Sequence, residues 1–292
     1  MKIALFGRPF APPFFENFRL LISTLGERAS SFLVYERLYN HIREHVRFEK
    51  PVKVLSTGCR PDSDTFCMIS LGGDGTLLDT ITMVRDSGIP VLGINTGRLG
   101  FLSAISTDEI TLAARSLISG DYSIDKRTML QLTEPANLFG SFNYALNELT
   151  VLKRDNTTMI SISAYVDDLF LNNYWADGLI VSTPTGSTGY SLSCGGPIIS
   201  PESRNFVITP IATHNLTVRP IIIPDSSEVK LKISERTQDY LVLLDSRSKT
   251  LNTTTELVVT RAAFSMNLIC VGQKDFYKTI RNKLAWGLDK RN

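Results

Sequence analysis

The spacing of apolar positions changes character part-way along the chain. Near the start, Lys2 to Phe6 followed by Gly7 reads as a strand, and Phe14 to Tyr39 carries helical spacing in two pieces broken near Gly26. Phe66 to Leu71 is a short, mostly apolar run that stops in Gly72-Gly73-Asp74-Gly75-Thr76, after which Leu77, Leu78, Ile81 and Val84 recur at helical spacing. Ile89 to Ile94 is the next buried strand. The order strand, helix, strand implies a parallel sheet with a right-handed crossover, whose ligands bind at the carboxyl ends of the strands. Thr107 to Ser119 reads as a helix capped by Thr107, with Asp108 and Glu109 suited to its first turn.

Beyond Gly120 the period becomes two. Ile160, Ile162, Ala164 and Val166 alternate with Ser161, Ser163 and Tyr165, and Val229, Leu231 and Ile233 alternate with Lys230 and Lys232. That pattern marks antiparallel strands with one wet face. The expected architecture is a Rossmann-like α/β domain over residues 1–125, joined by the tail 272–292, and a β-rich, β-sandwich-like domain over 126–271. Phe276 to Trp286 is amphipathic and is expected to return to the first domain as a helix.

Composition narrows the partners. The 292 residues are 43% hydrophobic, enough for real cores, and 31 basic residues against 29 acidic ones give no polyanion-binding surface. Nucleic acid is therefore not expected. Cys59, Cys67, Cys194 and Cys270 form no C-x-x-C pair, which points to reduced thiols in a cytoplasmic protein. The N-terminal apolar run is too short for a secretion signal and is broken by Arg8 and Pro9. Gly178 to Pro201 is the longest uncharged stretch, but its Gly, Pro, Ser and Thr content rules out a membrane helix. Two patterns carry little: His41, Glu44 and His45 spell H-x-x-E-H, which a polar helix face explains as well as zinc does, and the glycosylation matches at Asn156 and Asn252 mean nothing without a secretory route.

Three stretches carry chemistry. At Gly72 to Thr76, glycines let the chain turn sharply and let a ligand approach the backbone, and Asp74 stands at a strand end beside a helix N-terminus whose amides attract phosphate. A carboxylate there can accept a proton from a hydroxyl. The spacing is not G-x-G-x-x-G, and the chain holds no Gly-Lys pair for a P-loop. Asn147-Glu148 puts an amide and a carboxylate side by side in a strand-like run, and at a strand end or bulge both can reach a ligand. From Asp177 to Pro197 a strand ends at Ser182, a turn follows at Pro184 and Gly186, and a short helix begins near Ser187; dense hydroxyls and backbone amides there suit a phosphate cradle.

Together these stretches resemble the NAD kinase family. The pentapeptide at Gly72 to Thr76 is shared with lipid kinases acting on diacylglycerol and sphingosine, but further motifs follow in NAD kinase order: Asn95 to Leu102 (N-x-G-x-L-G-F-L), Asn147-Glu148, Asp177 to Tyr190, Ile208 to Leu216 and Arg219 to Pro224. The resemblance covers nearly the whole chain. It implies ATP-dependent phosphorylation of the 2′-hydroxyl on the adenosine ribose of NAD, giving NADP, with Asp74 as general base. It further implies Gly72, Gly73, Gly75 and Thr76 at phosphate, and Phe101 packed on adenine. Asn147 and Glu148 fall on the adenine and ribose side, and Asp177 at the nicotinamide part from a neighbouring subunit. Thr188, Gly189, Tyr190, Ser191, Leu192 and Ser193 would line the adenine and ribose pocket, with Ala212 adding a minor contact. It implies no resident metal ligands, a divalent cation, Mg²⁺, carried on the ATP, and a homo-oligomer, dimer or tetramer. Gly189 stands where the family usually has Ala, and Arg247, where the family more often has a polar amide, is left out of the site. The alternatives are a lipid or other alcohol kinase of the same superfamily and a non-catalytic module that senses NAD or NADP.

Overall fold

A computed structural model describes all residues except 98–99, 104, 155–157, 235–238, 253–254, 274 and 287–292. Arg98 and Leu99 of the Asn95 to Leu102 loop, the glycosylation match at Asn156 and most of the one at Asn252 lie outside the described residues. The chain divides into two compact units, Met1–Lys126 with Asn267–Asn292, and Arg127–Met266.

The first unit runs β1 (Lys2–Gly7), α1 (Phe14–Gly26), β2 (Ser31–Tyr35), α2 (Glu36–Ile42), β3 (Val52–Leu55), β4 (Thr65–Leu71), α3 (Asp74–Val84), β5 (Val91–Ile94) and α4 (Ile110–Ser119). Its sheet has the order β3-β2-β1-β4-β5, with every neighbouring pair parallel. The chain builds outward from β1 to β2 and β3 on one side, then returns to lay β4 and β5 on the other. The strand order therefore reverses between β1 and β4, and at such a reversal the connections diverge and open a crevice at the carboxyl ends. Ile3, Leu5, Val34, Ile69 and Leu92 of the strands pack in one core with Phe18, Leu21 and Leu25 of α1 and Ala113, Ala114 and Leu117 of α4. Burying each of the larger of these side chains stabilises the unit by about 1.5–3 kcal/mol.

Two local expectations need correction. The second piece of the Phe14 to Tyr39 segment is a strand, β2, before it is a helix. Phe32, Leu33, Val34 and Tyr35 are buried on both faces, and a continuous apolar run of that length is ambiguous by periodicity, with aromatic and β-branched content favouring the strand. The cap ahead of α4 is Ser106 rather than Thr107. The Glu109 carboxylate accepts from the Ser106 amide at 2.9 Å and its hydroxyl at 2.7 Å, and Thr107–Glu109 form a 3₁₀ turn leading into the helix.

The second unit contains β6 (Ser123–Glu134), β7 (Tyr144–Ala145), β8 (Glu148–Lys153), β9 (Ile160–Val166), β10 (Leu169–Ala176), β11 (Gly178–Ser182), α5 (Tyr190–Ser193), β12 (Asn205–Ile211), β13 (Ile221–Pro224), β14 (Val229–Ile233), β15 (Asp239–Leu244), β16 (Arg247–Asn252) and β17 (Leu257–Cys270). One antiparallel sheet has the order β13-β12-β11-β8-β15-β16, and β10-β9-β14-β17 form the strands that face it. The inward residues of both meet in a single core: Ile162, Ala164, Val229, Leu231 and Val259 against Val151, Val181, Phe206, Ile208 and Val242. The chain then re-enters the first unit, where Leu268 pairs in parallel with Val91 of β5 and the final helix α6 (Phe276–Leu284) follows.

Candidate functional site

In the first unit, β4 ends at Leu71 and α3 begins at Asp74, so two glycines make the whole connection. Gly72 has φ +154°, and a Cβ there would lie 2.3 Å from Thr76 Oγ1, so no other residue fits the bend. Gly73 caps α3 without a side-chain hydrogen bond. The Gly72 amide is spent on the Ile94 carbonyl (2.9 Å) and the Thr76 amide on the Gly73 carbonyl (2.9 Å). That leaves the amides of Gly73, Asp74 and Gly75 as the donors of this turn that can meet an anion at the helix N-terminus.

The Asp74 carboxylate is turned onto the next loop. Oδ2 accepts from the Phe101 amide at 2.8 Å, and Oδ1 accepts from the amides of Leu102 (3.0 Å) and Ser103 (2.9 Å). Asp74 and the Phe101 ring are both half-buried. Gly100 lies so close that a Cβ on it would sit 1.8 Å from Asp74 Oδ1. Buried Asn95 starts this loop by accepting from the Gly97 amide at 2.6 Å. Three amide hydrogen bonds fix the carboxylate's position; two of them fill Oδ1, and Oδ2 keeps one acceptor site for a hydroxyl.

The second unit repeats the device. Asp245 sits in the two-residue turn between β15 and β16, at φ +53°, a left-handed conformation that Asp tolerates better than most residues. Its carboxylate accepts from three successive amides, Leu146 (2.8 Å), Asn147 (2.9 Å) and Glu148 (3.1 Å). These residues bridge β7 and β8, so the run that reads as one strand breaks at Leu146-Asn147. With the backbone so held, Asn147 Oδ1 and Glu148 Oε2 are buried without a hydrogen-bond partner among the described residues. A buried polar atom left unpaired costs free energy, so a ligand or a water molecule is needed to complete the bonding here. Burial, reinforced by the Asp245 charge, pushes the Glu148 carboxyl up to about 8. Burial likewise raises Asp245, although its three amides and Arg247 pull the other way.

The segment from Asp177 to Ser193 wraps this pair, but its hydroxyls do not form the expected open phosphate cradle. Ser182, Thr183 and Ser187 are fully buried and bonded within the unit: Thr183 Oγ1 donates to the Leu146 carbonyl (2.5 Å), Ser182 Oγ to the Thr183 carbonyl (3.0 Å) and Ser187 Oγ to the Pro184 carbonyl (2.7 Å). Thr188 Oγ1 donates to the Thr185 carbonyl at 3.1 Å, and buried Ser191 shares a 2.8 Å bond with Thr209. The hydroxyls satisfy the polar groups of a loop that would otherwise be too polar to bury. Gly189 lies against the orphaned pair, a Cβ on it falling 3.1 Å from Glu148 Oε2 and 3.5 Å from Asn147 Nδ2. Tyr190 and Ser193 are exposed and Leu192 is half-buried. Asp177 pairs with Lys153 at 2.6 Å, and Ala212 is exposed at φ +44°.

Arg247 donates to the carbonyls of Phe142 and Tyr144 and lies over the Phe139 and Phe142 rings, holding the approach to β7. Asp245 is the member of this cluster that the sequence reading left out of the site, although Asp245-Ser246-Arg247 falls where the family more often has an Asp, a small residue and a polar amide. His41 makes close contacts with the Phe10 backbone through Nε2 and packs against the Phe10 and Phe15 rings. Among the described residues no group of three or more His, Cys, Asp and Glu is placed to hold a metal ion, and no helix is long and apolar enough to cross a membrane.

A carboxylate fixed beside a helix N-terminus in one unit and a buried polar pair with open bonding in the other are the features the comparisons have to account for. Residues 19–122 match the ATP-NAD kinase N-terminal domain model and residues 146–271 the ATP-NAD kinase C-terminal domain model. The chain is 43% identical to an NAD kinase of Cytophaga hutchinsonii, 44% to one of Flavobacterium psychrophilum and 38% to one of Bacteroides fragilis, each over 100% of both chains. The chain belongs to the ATP-NAD kinase family. Its fold is also that of yeast NADH kinase complexed with NADH (TM-score 0.85, 24% identity, 99% of this chain and 89% of that one). An NAD kinase from Archaeoglobus fulgidus in complex with ATP shares it too (TM-score 0.73, 21% identity, 98% and 99%).

Proposed function

We propose that this chain transfers the γ-phosphoryl group of ATP to the 2′-hydroxyl on the adenosine ribose of NAD, giving NADP. The observation that carries the reading is the Asp74 carboxylate, held by three amides at the head of α3 and still able to accept one more hydrogen. Asp74 orients the hydroxyl and takes its proton, while the amides of Gly73 and Gly75 meet phosphate oxygens; Gly72 and Thr76 shape the turn. A loose phosphoryl-transfer transition state needs this positioning more than covalent help.

NAD is held by the polar pair of the second unit. Asn147 Oδ1 accepts from the ligand, and Glu148, which keeps its proton near neutral pH, donates to a ligand oxygen or nitrogen. Gly189, Tyr190, Leu192 and Ser193 line the same pocket, Phe101 packs on adenine, and Thr188 and Ser191 hold the loop's shape. Asp177 and Ala212 serve the far end of the dinucleotide. Mg²⁺ travels on the ATP phosphates. The nearby carboxylates fit that role for the metal, since Asp74 is bonded to amides and Asp79 to Arg8 at 2.6 Å.

The protein works as a homo-oligomer in the cytoplasm. Exposed Leu169, Phe170 and Trp175 on β10, an edge strand, support an interface with a second copy, and the free thiols of Cys59, Cys67 and Cys194 suit a reducing compartment. The family does not favour a lipid kinase or a non-catalytic sensor. Incubation with ATP, Mg²⁺ and NAD, followed by an assay specific for NADP, is expected to give ATP-dependent product. Binding of NAD without NADP formation would instead indicate a sensor.

A further inference from the structure

The pair assigned to NAD is only as well placed as the backbone beneath it. Asn147 and Glu148 sit where β7 gives way to β8, and β7 is only two residues long. Asp245 serves the amides of that stretch, but a carboxylate only accepts and can do nothing for its carbonyls. Those need a group with several donors. The chain supplies one two residues further on, Arg247, at the position where the family more often has a polar amide.

Arg247 opens β16 and pairs with Leu244 across the same two-residue turn that carries Asp245. Its Nη1 donates to the Phe142 carbonyl and its Nη2 to the Tyr144 carbonyl. The guanidinium lies 5.5 Å from the centre of the Phe139 ring and 5.3 Å from that of Phe142, within cation–π range. Phe142 is itself buried, and Asn143, between the two carbonyls, ties down the preceding loop: its Oδ1 accepts from the Phe139 amide at 2.7 Å and its carbonyl from the Leu132 amide at 2.9 Å. One hairpin tip therefore grips Phe142 to Glu148 by both kinds of backbone group, two carbonyls through Arg247 and three amides through Asp245. The Arg247 charge also favours the ionised form of Asp245 against its burial, and the ionised form is the stronger acceptor.

We propose that Arg247 is a positioning residue for the dinucleotide: its two-pronged grip on the Phe142 and Tyr144 carbonyls, made from the turn that carries Asp245, sets Asn147 and Glu148 in their binding geometry before NAD arrives. Without that grip the stretch has to be ordered on binding, and the cost falls on affinity for NAD rather than on phosphoryl transfer. The fork matters as well as the charge, because two carbonyls on alternate residues need two donors held apart at fixed spacing, which a guanidinium offers and an ammonium does not. The proposal rests on the reading of Asn147 and Glu148 as the pair that holds NAD.

The test uses the full chain and the variants Arg247→Met and Arg247→Lys, each compared with the parent by steady-state kinetics with Mg·ATP and NAD, by thermal melting, and by amide hydrogen exchange of residues 144–148 without ligand. Arg247→Met is expected to raise KM for NAD by about 10- to 100-fold while kcat and KM for ATP stay within about threefold, and to speed exchange at Leu146 to Glu148 by about tenfold or more. Arg247→Lys keeps a positive charge over the two rings, so it is expected to regain most of the melting temperature yet leave KM for NAD about fivefold or more above the parent. A KM for NAD within about threefold of the parent in either variant overturns the proposal, and a lowered melting temperature with that KM unchanged would mark Arg247 as a structural tether only. Unchanged exchange in the Met variant overturns it as well. A parent chain that forms no NADP removes the reading of function instead, and the exchange measurement, which needs no turnover, still decides whether Arg247 holds the stretch.

Discussion

Asp74 and Asp245 perform the same backbone task in different units and to different ends. Each accepts three successive amides from a distant loop, Phe101 to Ser103 in one case and Leu146 to Glu148 in the other. Asp74 begins a helix in a glycine turn and is half-open, so its own oxygens remain usable. Asp245 turns its carboxylate inward, and what it presents to a ligand is not itself but the side chains of the tripeptide it holds. One aspartate is fixed by its loop; the other fixes its loop. The same three hydrogen bonds thus position a reacting group in one unit and a recognising pair in the other.

The largest expected effect separates the two roles most sharply. Asp74→Asn keeps one oxygen for the loop, turns an NH₂ onto the remaining amide and loses the proton acceptor, so NADP formation should fall by about 10²–10⁴-fold while stability, read as the denaturation midpoint, drops by only about 1 kcal/mol. Asp245→Ala should do the reverse. It strands three amides and is expected to destabilise the chain by about 3 kcal/mol or more, read as a shift in denaturant midpoint. Gly100→Ala puts a Cβ 1.8 Å from Asp74 Oδ1 and should cost about 2 kcal/mol in kcat/KM by displacing the Asp74 carboxylate. Unchanged turnover would show that the Phe101 to Ser103 loop does not position Asp74.

Glu148→Gln sharpens the comparison through pH. The Glu148 carboxyl ionises near 8 in the folded chain against 4.5 ordinarily. Between those values the folded state holds a proton that the unfolded state has lost, so this group's effect is to reduce stability as pH rises from 4.5 through 8. Below 4.5 it costs nothing; above 8 the penalty is complete. The Gln variant should therefore exceed the parent at pH 9 by about 1 kcal/mol or more and lose that advantage at low pH, as melts across pH would report. Smallest is Asp177→Asn. Its pair with Lys153 is partly solvent-exposed, so stability should move by no more than about 0.5 kcal/mol, whatever happens to the KM for NAD.

Much of this was legible in the sequence where local chemistry dictates the outcome. The apolar run into Gly72-Gly73 had to end a strand, because Gly72 alone tolerates φ +154° against Thr76. The break at Asn147 was legible only as a possibility, since the reason for it, Asp245, lies nearly a hundred residues away. Hydroxyls at Ser182, Thr183 and Ser187 suggested a phosphate cradle because composition cannot tell a hydroxyl offered to a ligand from one spent on a buried carbonyl. Ser31–Tyr35 misled for a related reason: a strand covered on both faces has no period to read.

Position 245 unites two demands that seldom coincide. The turn asks for a residue at ease with φ +53°, which glycine and asparagine also satisfy. The clamp asks for two oxygens at short reach, which glycine lacks, asparagine halves and glutamate carries one carbon too far. A saturation library selected for NADP production should therefore come back at this codon with the parental letter almost alone, although its side chain need never meet either substrate.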